Sequence, residues 1–111
     1  MSPQVVIAAY RPREGQDAAL RALISRHVPA LREAGLATAR PVLLLRSLTD
    51  GTYLEIFEWA SADAARQAHE HPVVRKLWEE FDGMSEFRSL GSLPEAGKPF
   101  PHFEAVDGVT R

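Results

Sequence analysis

The sequence predicts an α+β fold with an antiparallel sheet, and three observations predict it. Asp50-Gly51 joins two apolar runs, Pro41 to Leu48 and Thr52 to Trp59, which is the strongest short-range hairpin signal. Ahead of the hairpin, residues 17–34 carry apolar side chains at helical spacing. Behind it, residues 62–83 do the same across an interruption at Pro72. The order strand, helix, hairpin, broken helix, strand is the split βαβ plan of a ferredoxin-like domain. At 111 residues the chain is expected to be one domain, residues 1–111, with an irregular tail from about position 94.

Each element has its own local cause. "QVVIAAY", Gln4 to Tyr10, is a short β-branched apolar run closed by "RPREG" and reads as a strand. From Asp17, the residues Leu20, Leu23, Ile24, His27, Leu31 and Ala34 form one helical stripe, and Gly35 follows as a C′ stop. Pro29 lies inside this helix and is expected to kink it, or to open its hydrogen-bond ladder near Ser25, because proline has no N–H to donate. In "TYLEIFEWAS" the side chains of Tyr53, Glu55, Phe57 and Trp59 share one strand face, and Leu54, Ile56 and Glu58 share the other. A two-residue turn at Asp50 and Gly51, both at positive φ, sets Arg46 opposite Glu55 as a cross-strand pair. It leaves Glu58, opposite Leu43, as the carboxylate without a mate.

Ser61 is placed to cap a short helix over "ADAARQAHEH", with Asp63 in its first turn. Pro72 starts a second helical piece with an apolar stripe of Val73, Val74, Leu77, Trp78 and Phe81, ended by Gly83. "SEFRSLGSL" supplies a last strand, and Phe100 and Phe103 are expected to anchor the tail. Helices enough for one sheet face leave an apolar opposite face. A second copy is the simplest cover for it, so a homodimer is expected.

Composition removes several function classes. Hydrophobic and charged fractions of 45% and 25% are those of a soluble globular protein, and a net charge of −2 gives nucleic acid no electrostatic reason to bind. The absence of cysteine excludes disulfides, thiolate metal sites and cysteine nucleophiles. No segment approaches the roughly 20 apolar residues needed to span a membrane. "MSPQVVIAAYRP" also lacks a basic leader, so the expectation is a cytoplasmic protein that does not engage a membrane.

The candidate site residues are few. His27, on the apolar stripe of the first helix, is either a pocket general base or a core histidine bonded to the carbonyl that Pro29 leaves free. Glu58 is the second catalytic candidate. Tyr10 and Tyr53 each offer a phenol, and Tyr10, Trp59, His69, Trp78 and Phe81 are the candidate lining of a pocket for a flat organic ligand, the aromatics alternatively being plain core. His69 and His71, two apart, do not share a helix face, and no pair of histidines has metal-ligand spacing; no metal and no cofactor are expected.

The run "YLEIFEWASADAARQAHEHPVVRKLWEEF", with "RHVPALREAGLATARPVLLL" before it and "LPEAGKPFPHFEAV" after it, resembles the small dimeric α+β barrel proteins grouped with the antibiotic-biosynthesis monooxygenases. The resemblance runs from about Val5 to Val106. It implies a homodimer with facing sheets, outer helices, and a pocket between the sheet and helices of each subunit. Members of that family carry out cofactor-free oxygenation, haem degradation, isomerisation or simple binding, so the fold alone does not choose among them. Quinone-forming members use an asparagine and a tryptophan, and haem degraders an asparagine and an axial histidine. This chain has no asparagine, and Trp78 stands at or beside the haem-ligand position, which argues against both. The implied function is a small-molecule-binding barrel. In one form it is a cofactor-free monooxygenase-like enzyme acting on an aromatic or apolar metabolite; in the other it is a non-catalytic ligand-binding or accessory module.

Overall fold

A computed structural model describes residues 2–107. It is an α+β domain with five strands in the order β4-β1-β3-β2-β5, every neighbouring pair antiparallel. The strands are β1 (Gln4–Pro12), β2 (Leu43–Ser47), β3 (Tyr53–Trp59), β4 (Ser85–Arg88) and β5 (Phe103–Ala105), and the helices are α1 (Asp17–Glu33), α2 (Ala64–Glu70) and α3 (Pro72–Met84). The first four strands and their helices follow the ferredoxin-like plan. The fifth strand comes from the segment expected to be an irregular tail, and it pairs with β2 because Ser47, Arg46 and Leu45 present a free edge to Phe103, Glu104 and Ala105.

Helix α1 buries Leu20, Leu23, Ile24, His27, Val28 and Leu31, the stripe that the spacing predicts. It runs unbroken through Pro29 and ends in a Schellman motif. Gly35 takes φ +77°, with Gly35 N–H donating to the Arg32 carbonyl and Leu36 N–H to the Leu31 carbonyl. Pro72 opens α3 at its first turn, where no N–H is needed. Ser61 does not cap α2: the cap position falls on Asp63, whose carboxylate instead holds Arg66 at 2.7 Å.

The hairpin forms, but its register differs from the predicted one by two residues. Arg46 faces Tyr53, and Glu55 faces Leu44. Within the turn Gly51, at φ +78°, takes a left-handed conformation and Asp50 does not, so Asp50 is not half of a two-residue turn. Leu48 to Gly51 instead form a longer loop closed by Ser47 N–H to the Thr52 carbonyl at 2.8 Å. The Ser47 hydroxyl accepts from the amides of Thr49 and Asp50 and donates to the buried Glu95 at 2.8 Å, so a residue of the tail helps to hold the loop open. Arg46 pairs with Asp17 and Glu104 at 3.8 and 3.7 Å, not with Glu55.

The helices pack on one sheet face, where Tyr10, Leu44, Tyr53, Phe57 and Trp59 join their apolar stripes. The tail covers part of the other face. Leu93 buries with Ala9 and Leu54, and Leu45 and Phe103 pack against them, leaving a groove of about 330 Å³ beside Ile7 and Ile56. Phe100 anchors nothing, being 83% exposed. The cross-strand row Ile7, Ile56, Leu43 runs along this groove, with Ile56 half-buried. Val5, Ile7 and Leu43 are 57%, 45% and 51% exposed.

Candidate functional site

Alternation along β1 turns Val6, Ala8 and Tyr10 toward the helices, and alternation along β3 does the same for Tyr53, Glu55, Phe57 and Trp59. Val6 and Ala8 are small, and Ala8 lies directly opposite Glu55 in the ladder. Little fills the space above them, and a cavity of about 270 Å³ remains between the sheet and the helices. Its walls are Val6, Ala8, Tyr10, His27, Phe57, Trp59, His69, Trp78, Phe81 and Phe87. The candidate lining residues Tyr10, Trp59, His69, Trp78 and Phe81 thus share one space with His27. Phe87, on the short strand β4, and the small residues of β1 carry no signal of their own in the sequence.

At the base of this space lies a buried polar chain. Glu55 has no exposed surface, and its Oε1 accepts from the Tyr10 hydroxyl at 2.8 Å and bonds His27 Nδ1 at 2.9 Å. On the other side of the imidazole, the Trp78 Nε1–H donates to His27 Nε2 at 2.9 Å. An indole N–H can only donate, so Nε2 is the accepting nitrogen and the ring proton sits on Nδ1, directed at Glu55. The imidazole in this arrangement is neutral. For Glu55, a proton on Oε1 would oppose two incoming donors. A proton on Oε2 would find no acceptor, since that atom has no hydrogen-bond partner among the described residues. Both donors converge on Oε1, the arrangement that a carboxylate accepts, in apolar surroundings. Burial first, then the charge of Glu55 and the hydrogen bond to it, push the Tyr10 phenol well above its usual value of 10.0, so Tyr10 keeps its proton.

Aromatic rings hold the chain in place. Phe81 meets His27 edge-on at 5.0 Å, Phe57 does so at 5.6 Å, and Tyr10 stacks on Phe81 at 4.6 Å. His69 is exposed and sets its ring edgewise to Trp78 at 4.8 Å, at the rim. His27 does not bond a carbonyl freed by Pro29; both of its nitrogens are used by side chains from other elements.

The two strand carboxylates exchange the parts expected of them. Glu58 lies outside the cavity lining, accepting from the Thr38 hydroxyl at 2.8 Å and pairing with Arg40 at 3.2 Å. Glu55 is the carboxylate of the site. Its signal in the sequence is an acidic residue on the strand face otherwise made of Tyr53, Phe57 and Trp59; the two-residue turn hid this by giving it Arg46 as a mate. Tyr53 belongs to a separate cluster, donating to Asp17 at 2.8 Å and accepting from Arg21 at 3.0 Å.

Among the described residues no group of three or more histidines, aspartates or glutamates is arranged to hold a metal ion, and no helix is long and apolar enough to cross a membrane. Comparisons with protein-family models, with curated proteins and with solved structures return no match to this chain.

Proposed function

We propose that this chain is a small-molecule-binding protein of the dimeric α+β barrel type, similar to the antibiotic-biosynthesis monooxygenases, and that it takes a flat apolar or aromatic molecule into the space above Glu55. One observation carries the reading: a cavity of about 270 Å³, walled almost wholly by aromatic and aliphatic groups, opens onto a single buried polar chain. An apolar cavity of about 150 Å³ is enough for benzene, so this one has room for two fused rings. The homodimer is supported by the exposed apolar side chains of Val5, Ile7 and Leu43 on the far sheet face, and sedimentation equilibrium at micromolar concentration tests it against a monomer mass.

The monooxygenase-like form needs His27 Nε2 to take a proton from the ligand and needs dioxygen to accept the electrons. The binding form needs the cavity alone. Since Nε2 already accepts from Trp78, no free base faces the cavity in this conformation, and that favours binding without catalysis. The chain has two tryptophans, Trp59 and Trp78, and both line the cavity, so their indole N–H resonances report on it directly. Titration of the protein with naphthalene and with 2-naphthol should shift both resonances saturably. Resonances unmoved by a panel of one- to three-ring aromatics at millimolar concentration would refute the binding reading. Oxygen uptake with 2-naphthol bound would overturn the preference for the non-catalytic form.

A further inference from the structure

Around the cavity, hydrogen-bond donors and acceptors are unequally committed. The Tyr10 O–H and the His27 Nδ1–H are both spent on Glu55 Oε1, at 2.8 and 2.9 Å, and the Trp78 Nε1–H is spent on His27 Nε2 at 2.9 Å. These three residues have no donor left for a ligand. What they turn toward a ligand are acceptors: the phenol oxygen of Tyr10, the imidazole nitrogen His27 Nε2, taken by Trp78 until another donor replaces it, and, behind both, Glu55. The imidazole of His69 is exposed and solvated at the rim. A ligand carbonyl would meet lone pairs. A ligand anion would also meet the charge of Glu55, for which the described residues supply no arginine or lysine within ion-pair distance.

His27 Nε2 has one lone pair in the ring plane and accepts one good hydrogen bond. Trp78 now supplies that bond, from a half-buried ring on the cavity wall. What the site holds at this nitrogen is thus a planar, uncharged, bicyclic aromatic with one N–H, provided by the protein itself.

We infer that the cavity selects planar, uncharged aromatic molecules that carry one N–H or O–H donor, and that such a ligand replaces the Trp78 indole as the donor to His27 Nε2. This rests on the small-molecule reading above and adds the ligand class to it. A ring of the same shape without a donor can fill the apolar volume, but it cannot take the place of Trp78 without leaving a buried nitrogen unpaired.

Three probes separate the outcomes by isothermal titration calorimetry on the full chain: indole, 1-benzothiophene, which has the same bicyclic shape without the N–H, and 2-naphthol as an O–H donor. Indole, 2-naphthol or both should bind more tightly than 1-benzothiophene, by up to about tenfold, the scale of one buried hydrogen bond. Their order identifies the donor type. In Trp78→Phe the internal competitor is gone while most of the aromatic wall remains. The donor probes should then tighten further, and 1-benzothiophene should stay within about threefold of its wild-type affinity, less than half of that hydrogen-bond scale in free energy. Should that variant fold poorly, the wild-type protein still decides. At saturation with a donor probe, the Trp78 indole N–H resonance should move to the position of a water-exposed indole. Equal affinities for indole, 2-naphthol and 1-benzothiophene, or a Trp78 resonance that keeps its bonded position at saturation, would overturn the inference and leave the cavity reading standing. Failure of all three probes to bind would overturn both.

Discussion

Replacing Tyr10 with phenylalanine removes one oxygen atom and tests the charged state of the whole buried chain. The ring stays, with its stack on Phe81 at 4.6 Å, so no cavity opens in the aromatic wall. What is lost is a 2.8 Å hydrogen bond to a carboxylate with no exposed surface, which then keeps His27 as its single donor. A hydrogen bond to a charged group contributes about 1.5–3 kcal/mol, and a neutral one about 0.5–1.5 kcal/mol. Tyr10→Phe should therefore cost roughly 2 kcal/mol by the charged-acceptor scale. At about 4 °C per kcal/mol for a domain of this size, that is a fall of about 8 °C in Tm. The assay is urea unfolding followed by circular dichroism at one fixed protomer concentration, with an unchanged m value as the control for two-state behaviour. Repeating the substitution in a Glu55→Gln background completes a double-mutant cycle. With a neutral acceptor the cost of losing the hydroxyl should drop to about 1 kcal/mol. A Tyr10→Phe protein within about 0.5 kcal/mol of wild type, or an equal cost in both backgrounds, would refute the assignment of Glu55 as a buried carboxylate bonded by Tyr10.

Other consequences are simpler to measure. The phenols of Tyr10 and Tyr53 are both raised, Tyr10 mainly by burial and Glu55, and Tyr53 mainly by burial, so the unfolded chain releases these protons before the folded one does. Stability is then intact below the ordinary value of 10.0 and declines as pH rises above it. The slope approaches about 1.4 kcal/mol per pH unit for each phenol. Tyr10→Phe should flatten that alkaline slope in urea titrations, and an unchanged slope would contradict the buried phenol. Glu58→Gln should change stability by less than about 1 kcal/mol, since its Arg40 partner has a side chain 62% exposed, and should leave the naphthalene titration unchanged. A loss of binding in that variant would return Glu58 to the site. Ile7→Lys puts a charge among the exposed apolar side chains of Val5, Ile7 and Leu43 and should move the sedimentation mass toward a single chain; an unaltered dimer mass would place the interface elsewhere.

The parts of the site that could be read in advance are those carried by local pattern. His27 is legible because a helical period places it between Ile24 and Leu31 on the buried stripe, and the aromatics Trp59, Trp78 and Phe81 because each lies on an inward face. Glu55 is legible in its orientation but not in its partner. Side-chain alternation depends only on parity, so a register differing by two residues leaves Glu55 on the helix side as before. The same difference exchanges Arg46 for Leu44 as the residue across from it. The Asp50-Gly51 pair is a sound hairpin signal. Its longer loop is held by the Ser47 hydroxyl, which bonds the nearby Thr49 and Asp50 amides and also Glu95, 48 positions away, a contact that no turn propensity contains.

From the sequence alone come the order of the first four strands and the helices between them, the buried stripes of those helices, the helix stop at Gly35, the start of α3 at Pro72 and the want of thiol chemistry, because each follows from periodicity, backbone conformation or composition within a few neighbouring residues. Only the tertiary structure decided that Tyr10, His27, Glu55 and Trp78 form one chain. Their bonds join residues 45, 28 and 51 positions apart, on four different elements. It decided also that the tail covers part of the far sheet face, by pairing β5 with the free edge of β2 and burying Leu93 against Ala9 and Leu54. The physical reason is the same in both cases. A hydrogen bond between side chains requires placement within a few tenths of an ångström, and that placement is the sum of register, helix rotation and packing over the whole domain, to which each residue's local preference contributes only the direction in which it points.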